Sequence, residues 1–365
     1  MRSTLIEAVE RCGPRTVAVV GLAKNCGKTT AFNRLIEGYG ELGLRVGATS
    51  AGRDGEMTDA LTMRPKPAIE LPDGALAATA ELALAAWTAP YEVMARLGVA
   101  TAMGEVLLVR ATGEGCAELA GPPTVATVMK ALAEMRRLGA ERILVDGAFD
   151  RIAVGHPGLA DAVVLAGGAV LGASPETVAR TIAHRVRLLG LLQPPSEVCL
   201  RMAEAADSLG ASALLFSDGA SPRRLDESAL AAPGRAAAAA LKATHLLCGG
   251  AVTDELLRSL TARRARLAVV ARDPTRVFIE PETLAAWEDS GGGLLVLRRV
   301  TVAAVATNPH NPTGPSLDPE QLIDEVASKL KGVPVYDVVR GLSRNDEAVA
   351  AFSKVAANGA GEERR

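Results

Sequence analysis

Short apolar runs alternate along the chain with longer stretches whose apolar residues recur at helical spacing. The apolar runs have the length of β-strands and are bounded by Gly or Pro. In the first half of the chain they predict strands at residues 16–20, 44–49, 105–110, 142–146 and 160–165. The stretches between them predict helices, including residues 29–42 and 125–138. This alternation is typical of an α/β fold with a mostly parallel sheet and helices on both faces.

A loop-rich and then Ala-rich segment follows this first series of elements. A second series comes after it, with strands predicted at residues 245–248, 267–270, 294–297, 301–306 and 333–336. The length of 365 residues also favours more than one compact unit. We therefore predict a first α/β domain at residues 1–216, a connector with a helix at 217–243, a second, smaller α/β domain at 244–355 and a disordered tail at 356–365.

Residues 16–30, TVAVVGLAKNCGKTT, join the first strand to the first long helix through a loop with a glycine at each end, Gly21 and Gly27. In a P-loop, backbone N–H groups of such a loop surround a phosphate, and the dipole of the following helix favours its negative charge. Lys28 would then contact the β- and γ-phosphates, and the Thr29 hydroxyl would bind Mg²⁺. A helix N-terminus with an incidental lysine is the alternative. We predict that the first domain is a P-loop NTPase domain.

The two glycines enclose five residues, whereas the common P-loop pattern has four. The longer loop resembles that of dethiobiotin synthetase and its relatives. The resemblance implies that Lys24 acts like the additional signature lysine of the related partitioning and nitrogenase-iron-protein ATPases, although the register differs by one residue. A solvated loop lysine is the alternative. Asn25, Cys26 and Thr30 complete the predicted nucleotide-binding set, and simple packing is an alternative role for the Cys26 thiol.

Two acidic residues that follow predicted strands are candidates to hold Mg²⁺. Asp146 ends the apolar run RILVD, where a Walker-B aspartate lies, and Asp54 follows the second strand in the segment TSAGRDGE. Because the carboxyl ends of parallel strands meet at one edge of a sheet, both residues would face the phosphates. An ordinary turn aspartate is the alternative at each position. We assign catalytic roles to Lys28, Asp54 and Asp146, and metal binding to Thr29 and the two aspartates.

Composition and charge narrow the choice of ligand. A net charge of −2 and an aromatic content of 3% argue against nucleic acid as a partner. The five cysteines are scattered without a C-x-x-C pair, which indicates a reducing compartment. The N-terminal segment lacks the apolar run of a signal peptide, and no run has the length of a membrane span, so we expect a cytoplasmic protein. No Asn-Lys-x-Asp or Thr-Lys-x-Asp segment follows a strand, which favours ATP over GTP.

Residues 308–314, NPHNPTG, match a string that fold-type I aminotransferases carry. In that family, an asparagine of the string contacts the pyridoxal ring. That family also needs a Schiff-base lysine well downstream and an aromatic side chain on the ring. Only about fifty residues follow the string here, Lys329, Lys331 and Lys354 lack the required setting, and aromatic residues are nearly absent. A loop rigidified by proline, with Asp318 as the N-cap of the next helix, is the simpler interpretation. Dethiobiotin synthetase-like proteins use a Pro-Asn loop near the base, which makes Asn308 and Asn311 candidate base contacts. A purely structural turn is the alternative.

Several segments together resemble the P-loop subunit of the reactivating factors of adenosylcobalamin-dependent lysine and ornithine aminomutases. They are VVGLAKNCGKTT, TSAGRDGE, IELPDGALAATAE, VRATGEGCAELAGPP, LVDGAFDR and ATNPHNPTGPSLDP. The resemblance covers most of the chain. It implies a chaperone-like ATPase that binds the aminomutase, with or without a second reactivase subunit, and uses ATP to release inactivated cobalamin. A homodimer is also compatible with it.

Two other functions stay open. One is an ATP-dependent ligase or kinase of the dethiobiotin synthetase type, acting on a small carboxylate. The other is a nucleotide-bound structural module without turnover. A switch that acts on another protein should hydrolyse ATP faster with its partner, whereas a ligase should turn over with a small acceptor.

Overall fold

The computed structural model describes residues 4–51, 68–148, 158–206, 212–217, 221–225 and 228–345. The chain divides into two compact units. The first consists of Met1–Val186 together with Thr301–Arg365, and the second is Arg187–Val300. The second unit is therefore an insertion within the sequence of the first.

The helices of the described residues are α1 (Leu5–Glu10), α2 (Lys28–Glu41), α3 (Val125–Arg137), α4 (Pro175–Leu189), α5 (Ser196–Ala206), α6 (Pro233–Ala239), α7 (Asp254–Ala262), α8 (Pro281–Asp289) and α9 (Pro319–Lys329). Asp318 is the N-cap of α9, which confirms the prediction, and its carboxylate accepts a hydrogen bond from Gln321 N at 2.9 Å. Within the described ranges, no helix is both long and apolar enough to cross a membrane.

The strands of the described residues, in chain order, are β1 (Thr16–Gly21), β2 (Val46–Ser50), β3 (Ile69–Leu71), β4 (Leu76–Ala80), β5 (Tyr91–Thr101), β6 (Gly104–Ala111), β7 (Gly115–Ala117), β8 (Arg142–Ala148), β9 (Ala162–Gly168), β10 (Ala213–Phe216), β11 (Arg223–Leu225), β12 (His245–Cys248), β13 (Val252–Thr253), β14 (Ala268–Ala271), β15 (Val277–Phe278), β16 (Gly293–Val296), β17 (Thr301–Asn308), β18 (Val335–Asp337) and β19 (Leu342–Arg344). The strands predicted in the first half of the chain correspond to β1, β2, β6, β8 and β9. Those predicted in the second half correspond to β12, β14, β16, β17 and β18.

In the first unit, ten of the described strands form one large sheet, in the order β19-β18-β17-β9-β1-β8-β2-β4-β6-β5. Neighbours are parallel from β18 to β4 and antiparallel at both ends of the sheet. Every residue of β1 is buried, as expected for a strand in the middle of a parallel sheet. The predicted α/β fold with a mostly parallel sheet is confirmed.

The last two predicted strands do not lie in a second domain. β17 pairs with β9, and β18 pairs with β17, so both belong to the large sheet. The predicted boundaries at residues 216 and 243 therefore differ from the division between the two units. Apolar periodicity predicts that a strand exists, but its neighbours depend on contacts between segments that are distant in sequence.

The second unit has a sheet of its own, in the order β11-β10-β12-β14-β16, in which β12, β14 and β16 are parallel. Successive residues of β12 and β14 contribute to two separate apolar clusters, because side chains alternate across a strand. Leu246 and Val269 pack in the cluster of Trp287, and Leu247 and Val270 pack in that of Met202. The segment predicted as a connector supplies β11 and α6 of this unit.

Candidate functional site

Five adjacent parallel strands, β17, β9, β1, β8 and β2, end at the same edge of the large sheet. Asp146 of β8 is in register with Val19 of β1 and with Ser50 of β2. Asn308, the last residue of β17, is in register with Gly168, the last residue of β9. Open α/β sheets bind ligands beyond the carboxyl ends of their strands, so this edge is the candidate site.

The loop between β1 and α2 has a backbone that requires both of its glycines. Gly27 has a φ of 91°, in the left-handed region, and a Cβ there would lie 2.9 Å from Asn308 Cβ. A Cβ on Gly21 would lie 2.7 Å from Cys26 Sγ. Asn25 also has a positive φ, of 61°. The loop therefore passes close to its own side chains and to the end of β17.

The amino end of α2 faces the end of this loop. Gly27 is the N-cap, and no side chain accepts a hydrogen bond as a cap. The first N–H groups of a helix have no partner within the helix, and they carry the positive end of its dipole. Lys28, Thr29 and Thr30 form this first turn and are partly buried. The turn is therefore suited to an anion.

Lys28 and Asp146 form an ion pair across the site. The Lys28 Nζ atom lies 2.8 Å from Asp146 Oδ1, and the two side chains are 22% and 23% exposed. The contact is not a directed hydrogen bond, and within the described residues Asp146 Oδ1 is buried without one. Electrostatic attraction therefore holds both charges at the edge of the sheet.

The remaining loop residues divide into buried and exposed. Cys26 is buried with its sulfur against Gly21, which agrees with a packing role for the thiol. Lys24 and Asn25 are exposed at the tip of the loop. The Leu22 N–H donates to Ala166 O of β9 at 2.9 Å, which holds the start of the loop against the sheet.

The two asparagines of the NPHNPTG segment contact different elements. Asn308 Nδ2 donates to Asn25 O in the loop at 3.1 Å. Asn311 Nδ2 donates to Ala169 O, just after β9, at 3.4 Å, and Asn311 Oδ1 accepts from Thr313 N at 3.1 Å. Both therefore lie at the edge of the sheet that carries Asp146. Their predicted contact with a nucleotide base stays a prediction.

Ser50 and Gly121 also shape this edge, and the sequence did not point to them. Ser50 Oγ donates to Leu119 O at 3.0 Å and accepts from Gly121 N at 2.8 Å. The next residue, Ala51, donates its N–H to Asp146 O at 3.1 Å. A Cβ on Gly121 would lie 1.8 Å from Ser50 O, so only glycine fits. The Gly-Pro-Pro string at residues 121–123 was the available signal.

Asp54, the second predicted carboxylate, lies outside the described residues. Within the described ranges, no group of three or more His, Cys, Asp or Glu side chains is arranged to hold a metal ion. Asp146 is therefore the predicted metal-binding carboxylate whose surroundings are known.

The fold and the site together define an α/β protein with a strand–loop–helix, a lysine and an aspartate at the carboxyl edge of a mostly parallel sheet. Comparisons with protein-family models, curated proteins and solved structures find no match for this chain. Its function is therefore inferred from the geometry and from the sequence motifs.

Proposed function

We propose that this protein is a P-loop NTPase that binds Mg-ATP and hydrolyses it. One observation carries the proposal: the ion pair of Lys28 and Asp146 lies at the start of α2, beside a loop whose two glycines leave no room for a Cβ. A lysine, an aspartate and an uncapped helix N-terminus at one sheet edge are the groups that phosphoryl transfer requires.

The phosphates would be held by the loop and by the first turn of α2. The backbone N–H groups of Lys28, Thr29 and Thr30 would donate to phosphate oxygens, since no side chain caps the helix. The Lys28 ammonium would exchange its contact with Asp146 for one with the β- and γ-phosphates. Asp146 would then be left as an unpaired carboxylate.

The residues at this edge also fit a magnesium ion. Asp146 Oδ1 is buried with no directed hydrogen bond from the described residues, and hard cations prefer such oxygen ligands. The Thr29 hydroxyl and Asp146 would hold the ion, with Asp54 as a further proposed ligand. When bound, Mg²⁺ neutralises charge that develops on the transferred phosphoryl group.

The target of the ATPase is proposed from the sequence. The segments that resemble aminomutase reactivating factors include the loop, the strand of Asp146 and the NPHNPTG segment, and all three meet at this sheet edge. We propose a chaperone-like reactivase that acts on an adenosylcobalamin-dependent aminomutase. An inactivated aminomutase holoenzyme should then raise the ATP hydrolysis rate, whereas stimulation by a small carboxylate alone would indicate a ligase.

Substitution of Lys28 tests nucleotide binding. Lys28→Ala should weaken Mg-ATP binding about 100-fold, since a charge-assisted contact with the phosphates is lost. Isothermal titration calorimetry measures this directly. Lys331→Ala, which removes an exposed lysine outside the site, is the matched control. Equal affinity of Lys28→Ala and wild type would remove the proposed site.

A further inference from the structure

We infer that Asn308 is a positioning residue that holds the phosphate loop in its binding conformation, rather than a contact of the nucleotide base. The inference rests on the proposed function, because it concerns how the same loop binds phosphate. Asn308 acts through Asn25, whose carbonyl oxygen accepts its side-chain N–H at 3.1 Å.

Both ends of the Asn308 amide are engaged, and this fixes its orientation. Nδ2 donates to Asn25 O, and Oδ1 accepts from His310 N, each at 3.1 Å. A flipped amide would place an oxygen against the Asn25 carbonyl and an N–H against the His310 N–H. The donor therefore points at the loop.

The contact with Asn25 controls the direction of one peptide group. The chain has no cis peptide in the described residues, so the carbonyl of Asn25 and the N–H of Cys26 point in opposite directions. Holding the carbonyl toward Asn308 turns the Cys26 N–H to the other side of the loop. A flip of this peptide would put a carbonyl oxygen there, which would repel a phosphate.

Asn308 has little freedom to leave this position. A Cβ on Gly168 would lie 2.0 Å from Asn308 O, and a Cβ on Gly27 would lie 2.9 Å from Asn308 Cβ. The residue thus lies directly between the end of β9 and the loop. Asn25 has a positive φ of 61°, a conformation that asparagine adopts more readily than most non-glycine residues.

Asn308→Asp keeps the shape of the side chain, replaces the donor with an acceptor and adds a negative charge. Asn308→Ala adds no charge, so the two variants together test the inference. The probes are Mg-ATP and magnesium with inorganic tripolyphosphate, which has no base. We expect both affinities to fall by the same factor, about tenfold, as a donor is lost and an acceptor faces a carbonyl. Asn308→Ala removes the donor to Asn25 O and the acceptor of His310 N without adding a charge, and it should lower both affinities by a smaller common factor.

Asn33→Asp is the matched control. Asn33 Nδ2 donates to Ala68 O at 2.9 Å, so the same change removes a comparable bond outside the loop. This variant should bind both ligands like wild type. If Asn308→Asp does not fold, as judged by its thermal unfolding, Asn308→Ala carries the comparison.

The outcomes separate the inference from the function on which it rests. A loss with ATP but not with tripolyphosphate would make Asn308 a base contact and overturn the inference, while nucleotide binding would stand. Unchanged affinity of Asn308→Ala for both ligands would also overturn it, because a loss in Asn308→Asp alone would follow from its added charge. If the wild-type protein bound neither ligand, the proposed function itself would fail, and the inference with it.

Discussion

Asp146→Asn separates two roles of this carboxylate, because the substitution keeps its shape and removes its charge. In the structure Asp146 Oδ1 lies 2.8 Å from Lys28 Nζ. A phosphate that binds Lys28 has to compete with this carboxylate, and the same carboxylate is proposed to hold Mg²⁺. The variant should therefore change nucleotide affinity in opposite directions with and without the metal.

The size of the effect follows from the ion pair. At 2.8 Å, an effective dielectric constant of about 20 gives a gross attraction of about 6 kcal/mol. Because the side chains are 22% and 23% exposed, solvent screening and desolvation leave a net contribution of about 1.4 kcal/mol. That free energy corresponds to a change of about tenfold in an equilibrium constant.

Without metal, in EDTA, ATP should bind Asp146→Asn about tenfold more tightly than wild type, because Lys28 is no longer paired. Mg²⁺ should raise the ATP affinity of the wild type, and it should raise the ATP affinity of the variant much less. Titration calorimetry of both proteins under both conditions measures the four affinities.

Asp161→Asn is a suitable control, since it makes the same change of charge at the opposite end of β1. Asp161 Oδ2 accepts from Arg15 N and Thr16 N, each at 2.8 Å, and an amide oxygen can still accept these bonds. Its four affinities should follow those of the wild type. Weaker binding by Asp146→Asn in both EDTA and Mg²⁺, or no change in either, would refute the competition between carboxylate and phosphate.

The local part of the site was predictable from the sequence. Apolar runs and turn residues predicted the loop from Gly21 to Gly27 and Asp146 near the end of β8. They placed the start of α2 at residue 29, one residue after its observed start at Lys28. These features are set by contiguous residues, whose periodicity and conformational preferences appear directly in the sequence.

The contacts between distant segments were not predictable. The sequence left Asn308 either as a candidate base contact or as part of a structural turn. Only the pairing of β17 with β9 brings it to Asn25, 283 residues away in sequence. Strand β5 was missed for another reason. It lies at the edge of the sheet with most side chains at least partly exposed, so it lacks the apolar run that identifies a buried strand.

Two further predictions concern stability. Gly121→Ala should lower the free energy of unfolding by about 3 kcal/mol in urea titrations, because its Cβ would lie 1.8 Å from Ser50 O. Gly40→Ala is the control: Gly40 lies in α2, where a Cβ would meet nothing within 4 Å, so this variant should not destabilise the protein. Burial raises the pKa of the Cys248 thiol from 9.0 to about 12, so only the unfolded thiol ionises just above pH 9. Under reducing conditions, the Cys248 thiol should therefore lower the free energy of unfolding by about 1.4 kcal/mol between about pH 8 and pH 10. The Cys248→Ala variant should lack that decrease. Equal destabilisation by the two glycine variants, or the same pH dependence with and without the thiol, would contradict these predictions.

The insertion of the second unit is compatible with the long-range contact of Asn308, because the two ends of the insertion lie together. Leu192 O accepts a hydrogen bond from Val296 N at 2.9 Å, and Gln193 Nε2 donates to Leu297 O at 2.7 Å. Once the second unit is folded, the connection from β9 to β17 shortens in effect from about 130 residues to about 30, which lowers the cost of closing it by about 1 kcal/mol. Folding of the second unit therefore favours the pairing of β17 with β9, and with it the contact that holds the loop.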